Sequence, residues 1–224
     1  NPMWNQGRDS LPYVNDDFFI NDEMARFPAG SCGGKFDWGW VQHIYSSLND
    51  TGRASIVLDT GAASRGSSSP GSNKEKDCRK WFVDSDLIEG VIYLPENLFY
   101  NTSAPGIVLF LNKKKQHKNH FFMLHAGKEF EKGDPKNYIT ETGINKIADC
   151  YKTFREETRL SRLVKKDEIV QNDYNISPSR YIQINEMETF RPLGEIVEEL
   201  NTLEEEAVNI NTEVRIILKK LGIE

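Results

Sequence analysis

Asn1-Pro2-Met3-Trp4 is the stretch whose residue types suit a definite chemistry. The exocyclic amine of a purine is a poor nucleophile because its lone pair is delocalised into the ring. Two carbonyl acceptors holding its N–H groups would draw the nitrogen toward tetrahedral geometry and localise that pair. The Asn1 side-chain oxygen and the Pro2 backbone carbonyl could be those acceptors, and Trp4 could stack on a base flipped out of a duplex. No general base is required if the methyl acceptor gives up its proton late. Taken alone, the same four residues also suit a turn started by Asn-Pro, with Trp4 in the core.

The chain that follows reads as a scaffold for such a loop. Residues 5–35 are polar and irregular, and read as a long loop with a short turn near Phe18-Phe19. Residues 36–48 place Trp40, Val41, Ile44, Tyr45 and Leu48 on one helical stripe. Asn49-Asp50-Thr51-Gly52 is a turn, and Arg53–Asp59 a short buried strand. A helix, a tight turn and an apolar strand predict α/β layering with a parallel sheet. Residues 60–73 are almost wholly small or turn-forming. They read as a flexible loop at a strand's C-terminal end, where open α/β sheets place ligands.

A helix is predicted over Lys74–Ser85, with Cys78, Trp81 and Phe82 on one face, and strands over Leu87–Leu94, Gly106–Leu111 and Phe121–Ala126. Asn97–Thr102 reads as a loop, and Lys113–Lys118 as a solvated basic turn rather than a phosphate contact. Residues 143–157 form a further helical stripe, and residues 160–185 short mixed elements. Near the end, Ile196, Leu200, Leu203, Ala207, Ile210, Val214, Ile217 and Leu221 repeat at alternating spacings of four and three. That is a heptad seam over nearly four heptads, on a helix roughly 40 Å long at 1.5 Å per residue. Lys219, Lys220 and Gly222 suit its C-terminal end.

Composition bounds the partners. The net charge of −6 over 224 residues argues against a protein that holds DNA mainly by its own phosphate contacts. Cys32, Cys78 and Cys150 form no CxxC pair or zinc spacing, which suits a reduced, cytoplasmic setting. No apolar run reaches the roughly 18 residues that span a bilayer, so no membrane partner is expected. His43, His117, His120 and His125 lack metal-ligand grouping and read as structural or surface residues. Asp59 reads as a strand cap rather than a ligand contact, and Ser64–Ser69 lacks the glycine and lysine spacing of a phosphate loop.

Five segments, in order, resemble the C-terminal half of the modification (M) subunit of type I restriction–modification systems, an N6-adenine DNA methyltransferase family. Asn1-Pro2-Met3-Trp4-Asn5-Gln6 resembles its NPPFNQ segment, and Phe36–His43 its FAWVQH helix. Gly52–Leu58 is similar to GRAGFVL, Leu94–Thr102 to LPxxLFYNT, and Ser177–Tyr181 to xPxRYV. The resemblance implies the C-terminal half of a Rossmann-like, S-adenosylmethionine-dependent sheet whose seventh strand runs antiparallel. It implies that Asn1, Pro2 and Trp4 form the catalytic loop, that Phe99 or Tyr100 helps hold the flipped adenine, and that Asn1 and Pro2 also border the cofactor. It implies three regions: 1–130 of the catalytic domain, a mixed helical connector over 131–190, and an assembly helix over 191–224. The implied partners are DNA, a specificity subunit bound through the 195–221 helix, a second M subunit and a restriction subunit.

The chain departs from that pattern in places. Met3 replaces the second proline of the motif, which keeps a backbone carbonyl but loosens the loop. The family's GEGxIR stretch appears as Pro70–Lys76. The glycine-rich cofactor motif is expected upstream of residue 1, so the chain is expected to be a piece of a longer protein. By itself it is expected neither to bind S-adenosylmethionine well nor to methylate DNA. The competing reading is a non-catalytic assembly module that recruits a specificity subunit through its C-terminal helix.

Overall fold

The computed structural model describes residues 6–7, 15–69, 71, 73–183 and 193–220. The chain divides into two compact units, Asn1–Ile184 and Asn185–Glu224. The first is a five-stranded sheet with helices on its faces. In chain order its elements are α1 (Asp16–Ile20), α2 (Asp37–Ser46), β1 (Arg53–Asp59), a 3-10 turn (Thr60–Ala63), α3 (Lys74–Asp84), β2 (Ile88–Tyr93), β3 (Gly106–Asn112), β4 (His120–His125), α4 (Glu141–Thr153), β5 (Ser161–Lys165), α5 (Lys166–Gln171) and a second 3-10 turn (Pro178–Arg180).

The strand order is β1-β3-β2-β4-β5. Only β2 and β4 pair in parallel; β3 runs antiparallel to both β1 and β2, and β5 antiparallel to β4. The parallel arrangement expected around β1 is therefore corrected to a mixed sheet. The cause is local: residues 94–105 between β2 and β3 contain no crossover helix, so the chain returns beside β2 in the opposite direction. β1, β2 and β4 still point the same way, and Asp59, Tyr93 and His125 end along one edge.

Alternate strand residues divide between two cores, as the pleat requires. Ile56, Leu58, Val91, Leu109, Phe121 and Met123 face α2 and α3, where Trp38, Val41, Cys78 and Phe82 are fully enclosed. Ile92, Phe122 and Leu124 face Cys150 of α4, with Phe110, Tyr151 and Phe154 packed alongside. Gly90 allows the close approach of β2 and β4: a Cβ there would lie 2.5 Å from the Phe122 carbonyl oxygen.

Two polar stretches prove more ordered than their composition predicts. Within residues 15–36, Phe18, Phe19, Phe27 and Phe36 form an aromatic cluster with ring centroids 4.8–5.8 Å apart. Buried Gln42 holds that excursion from α2, accepting from the Ala29 N–H at 2.8 Å and donating to the Gly30 carbonyl at 3.0 Å. The basic run is not simply solvated either. Lys115 is buried, donating to Asp86 at 2.6 Å and to the Ile88 carbonyl at 2.9 Å, over the Phe121 ring.

The second unit contains α6 (Leu193–Lys220), a 28-residue helix about 42 Å long. Leu200, Leu203, Ile210 and Val214, all on the predicted seam, are 45–59% exposed. Among the described residues no helix is long and apolar enough to cross a membrane.

Candidate active site at the strand ends

The edge where β1, β2 and β4 end carries three structured connections. After β1, Asp59 caps the following 3-10 turn by accepting the Ala62 N–H at 2.8 Å. The loop beyond it is locked rather than flexible. Arg65 donates to Asp59 at 2.8 and 3.0 Å, to Glu75 at 2.6 Å, and to fully buried Asp37. Burial disfavours the charged Arg65 guanidinium, but the three carboxylates outweigh it and raise its pKa. Burial also pushes the Glu75 carboxyl above its ordinary value, with Arg65 pulling the other way. Arg79, fully buried on α3, donates to the carbonyls of Tyr174, Ala62 and Arg65 at 2.6, 3.2 and 3.0 Å and to Ser67 Oγ at 2.8 Å. Burial lowers its pKa to about 10.

After β2, residues 94–105 form a hoop. Its neck is closed by the Asn97 N–H donating to the Ser103 carbonyl at 2.9 Å. Asn97 itself takes a left-handed backbone, with φ of 57°. Phe99 is half-buried, and Tyr100 stands out at 85% exposure.

After β4, His125 is buried and stacks on Tyr93 with ring centroids 4.3 Å apart. The Gly127 N–H donates to His125 Nδ1 at 3.2 Å, so Nε2 carries the proton and donates to Ser179 Oγ at 3.2 Å. Burial depresses the His125 pKa. The stack and the Ser179 bond bring two of the segments singled out in sequence, Leu94–Thr102 and Ser177–Tyr181, to one sheet edge.

Asn1, Pro2, Met3 and Trp4 lie outside the described residues. Directly after them, the Gln6 carbonyl accepts the Phe36 N–H at 2.9 Å and Gly7 pairs with Lys35. The segment that leaves the motif is therefore tied to the start of α2. Of the predicted site residues, the structure places Phe99 and Tyr100 together on the β2–β3 hoop. Sequence reasoning read His125 as structural, as found, but missed Arg79 and Gln42 as organisers, because each acts on backbone distant in sequence.

Arg65 and Arg79 both bond to the stretch around the end of β1. Among the described residues there is no group of three or more His, Cys, Asp or Glu side chains placed to hold a metal ion.

The profile of the N-6 DNA methylase family matches residues 1–190. The chain belongs to the N-6 DNA methylase family. Two relatives of that family come from Methanocaldococcus jannaschii. The methylase subunit of type I restriction enzyme MjaVIII is 41% identical over 92% of this chain and 35% of its own length. The MjaVII methylase subunit is 40% identical over 96% of this chain and 37% of its own length. The chain thus spans about a third of these relatives. Among solved structures, the methyltransferase subunit of a type I restriction–modification system from Streptococcus thermophilus matches 74% of this chain with a TM-score of 0.66 and 34% identity, covering 34% of that chain.

Proposed function

We propose that this chain is the adenine-holding and assembly part of a type I restriction–modification methylase subunit, acting on the N6 amine of adenine in DNA. The family match over residues 1–190, which includes the Asn-Pro-Met-Trp motif, carries this reading. Asn1 Oδ1 and the Pro2 carbonyl accept the N–H groups of the flipped adenine and localise its lone pair. Trp4 stacks on the base, with Phe99 and exposed Tyr100 closing on it from the β2–β3 hoop. S-adenosylmethionine supplies the methyl group.

On this reading the mixed sheet is the C-terminal half of a Rossmann-like methyltransferase sheet. β3 is its antiparallel strand, between the two mutually parallel strands β1 and β2. The exposed seam of α6 favours an assembly role alongside catalysis, with the specificity subunit as its partner and a second M subunit and a restriction subunit completing the complex. Sequence choice then rests with the specificity subunit, which suits the acidic charge of this chain.

The test is transfer of labelled methyl groups to adenine-containing DNA by the full-length subunit with its specificity partner. Asn1→Ala is expected to abolish transfer while leaving the complex intact on size exclusion. Full activity in that variant refutes the catalytic role of Asn1. A wild-type complex that labels no adenine refutes the function.

A further inference from the structure

Lys136 lies outside every segment that the motifs single out, yet it grips the hoop that carries Phe99 and Tyr100. Its Nζ donates to Asn97 Oδ1 at 2.9 Å and to the Thr102 carbonyl at 3.2 Å. Asn97 and Thr102 flank the aromatic pair, so one ammonium bridges both arms of the hoop. The next residue adds two bonds: the Asn137 N–H donates to the Asn97 carbonyl at 3.0 Å, and its side-chain amide donates to the Glu96 carbonyl at 3.0 Å. Both residues are carried on a short antiparallel pairing of Glu131 with Tyr138, closed by backbone bonds of 2.9 and 3.1 Å.

The physical need for such a grip is visible at the hoop itself. Asn97 holds a left-handed backbone, which asparagine tolerates better than most residues and which bonds to its side chain and carbonyl hold in place. Tyr100 has little packing of its own, at 85% exposure. Lys136 is half-buried, and its two bonds converge on the Asn97 side chain and on the far arm. An aromatic side chain presented on a fixed backbone loses less freedom on stacking than one on a loose loop.

We propose that Lys136 is a positioning residue for the base-holding aromatics, locking the 97–103 hoop so that Tyr100 is presented at the strand ends. This rests on the adenine reading above. The experiment uses the full-length subunit assembled with its partners and compares Lys136→Met with Lys136→Arg. Methionine keeps the apolar stem and removes the donors, whereas arginine restores donors at similar reach.

Hydrogen exchange of the 97–103 amides is expected to quicken about tenfold in Lys136→Met and to stay near wild type in Lys136→Arg. The kcat/KM for DNA is expected to fall about tenfold in Lys136→Met and to recover in Lys136→Arg, with S-adenosylmethionine affinity and Tm unchanged. Unchanged hoop exchange in Lys136→Met overturns the proposal. So does an activity loss that tracks a fall in Tm and is not rescued by arginine. A wild-type complex that transfers no methyl group to adenine removes the base-holding role through failure of the functional reading, and the exchange result then speaks to the clamp alone.

Discussion

Arg79 shows what a single buried charge does in this protein. Its guanidinium reaches three backbone carbonyls and one hydroxyl from a position with no solvent exposure. The carbonyls belong to residues 17, 14 and 95 positions away, so the fork joins the loop after β1 to the turn after α5. A lysine carries the same charge but presents it as one point and cannot span that fork. Arg79→Lys should therefore cost about 2–3 kcal/mol in urea unfolding, since two or more buried acceptors lose their donor. A loss below about 0.5 kcal/mol would show that water replaces the fork freely. None of this is legible in the sequence, where Arg79 is one charged residue among several on a short polar helix. Chemistry carried by contiguous residues was more accessible: Phe99 and Tyr100 could be named from the motif around them. Lys136 and Asn137, which bond the flanking Glu96, Asn97 and Thr102 from 34 to 41 positions away, could not.

At the scale of elements, apolar runs marked β1 to β4 closely, because β2 and β4 are buried on both faces, β3 nearly so, and β1 buries Ile56 and Leu58 on one face. Side-chain caps mark the starts of three helices, with Asn15 accepting from Phe18, Asn73 from Glu75 and Lys76, and Thr140 from Gly143. Strand direction was not legible, because an apolar run looks the same in a parallel or antiparallel neighbour. Nor was the order of residues 60–69, whose small residues suggest flexibility until Arg65, Arg79 and Asp173 are seen to hold them. The joint between β2, β4 and the Pro178–Arg180 turn yields a pH prediction. Burial holds His125 neutral, with its pKa below the ordinary histidine value of 6.5. Its neutral-form bonds to Gly127 and Ser179 are therefore fully present above pH 6.5. The unfolded chain binds the proton first as pH falls, so stability should decline from about pH 6.5 downward through the lower folded pKa. His125→Gln, which keeps a donor toward Ser179 but cannot titrate, should flatten that slope. An identical slope in the variant would assign the acid sensitivity to other groups. Glu89 acts at still lower pH. Burial would raise its pKa, but bonds from Tyr151, Asn112 and Arg53 outweigh that and lower it, so its contribution is lost as pH falls from the ordinary carboxylate pKa down through the lower folded one.

At the scale of the whole molecule, α6 is the element on which the proposed assembly role rests. Propensity alone leaves a helix marginal in water, and most helical stability in proteins comes from packing an apolar face. Leu200, Leu203, Ile210 and Val214 remain about half exposed, and each forfeits roughly 1 kcal/mol of burial in that state. Their alternating four- and three-residue spacing is the spacing that seats knobs between the residues of a second helix. Two substitutions at Leu203 separate shape from contact. Leu203→Pro removes an internal hydrogen bond at the eleventh of the 28 residues Leu193–Lys220, kinks the helix, and should release the specificity subunit. Leu203→Asp keeps the backbone helical by circular dichroism but places a charge in the seam. It should weaken the complex by at least tenfold, since burying an unpaired carboxylate costs several kcal/mol. A complex that elutes unchanged on size exclusion with both variants would place the subunit contact elsewhere than on this seam.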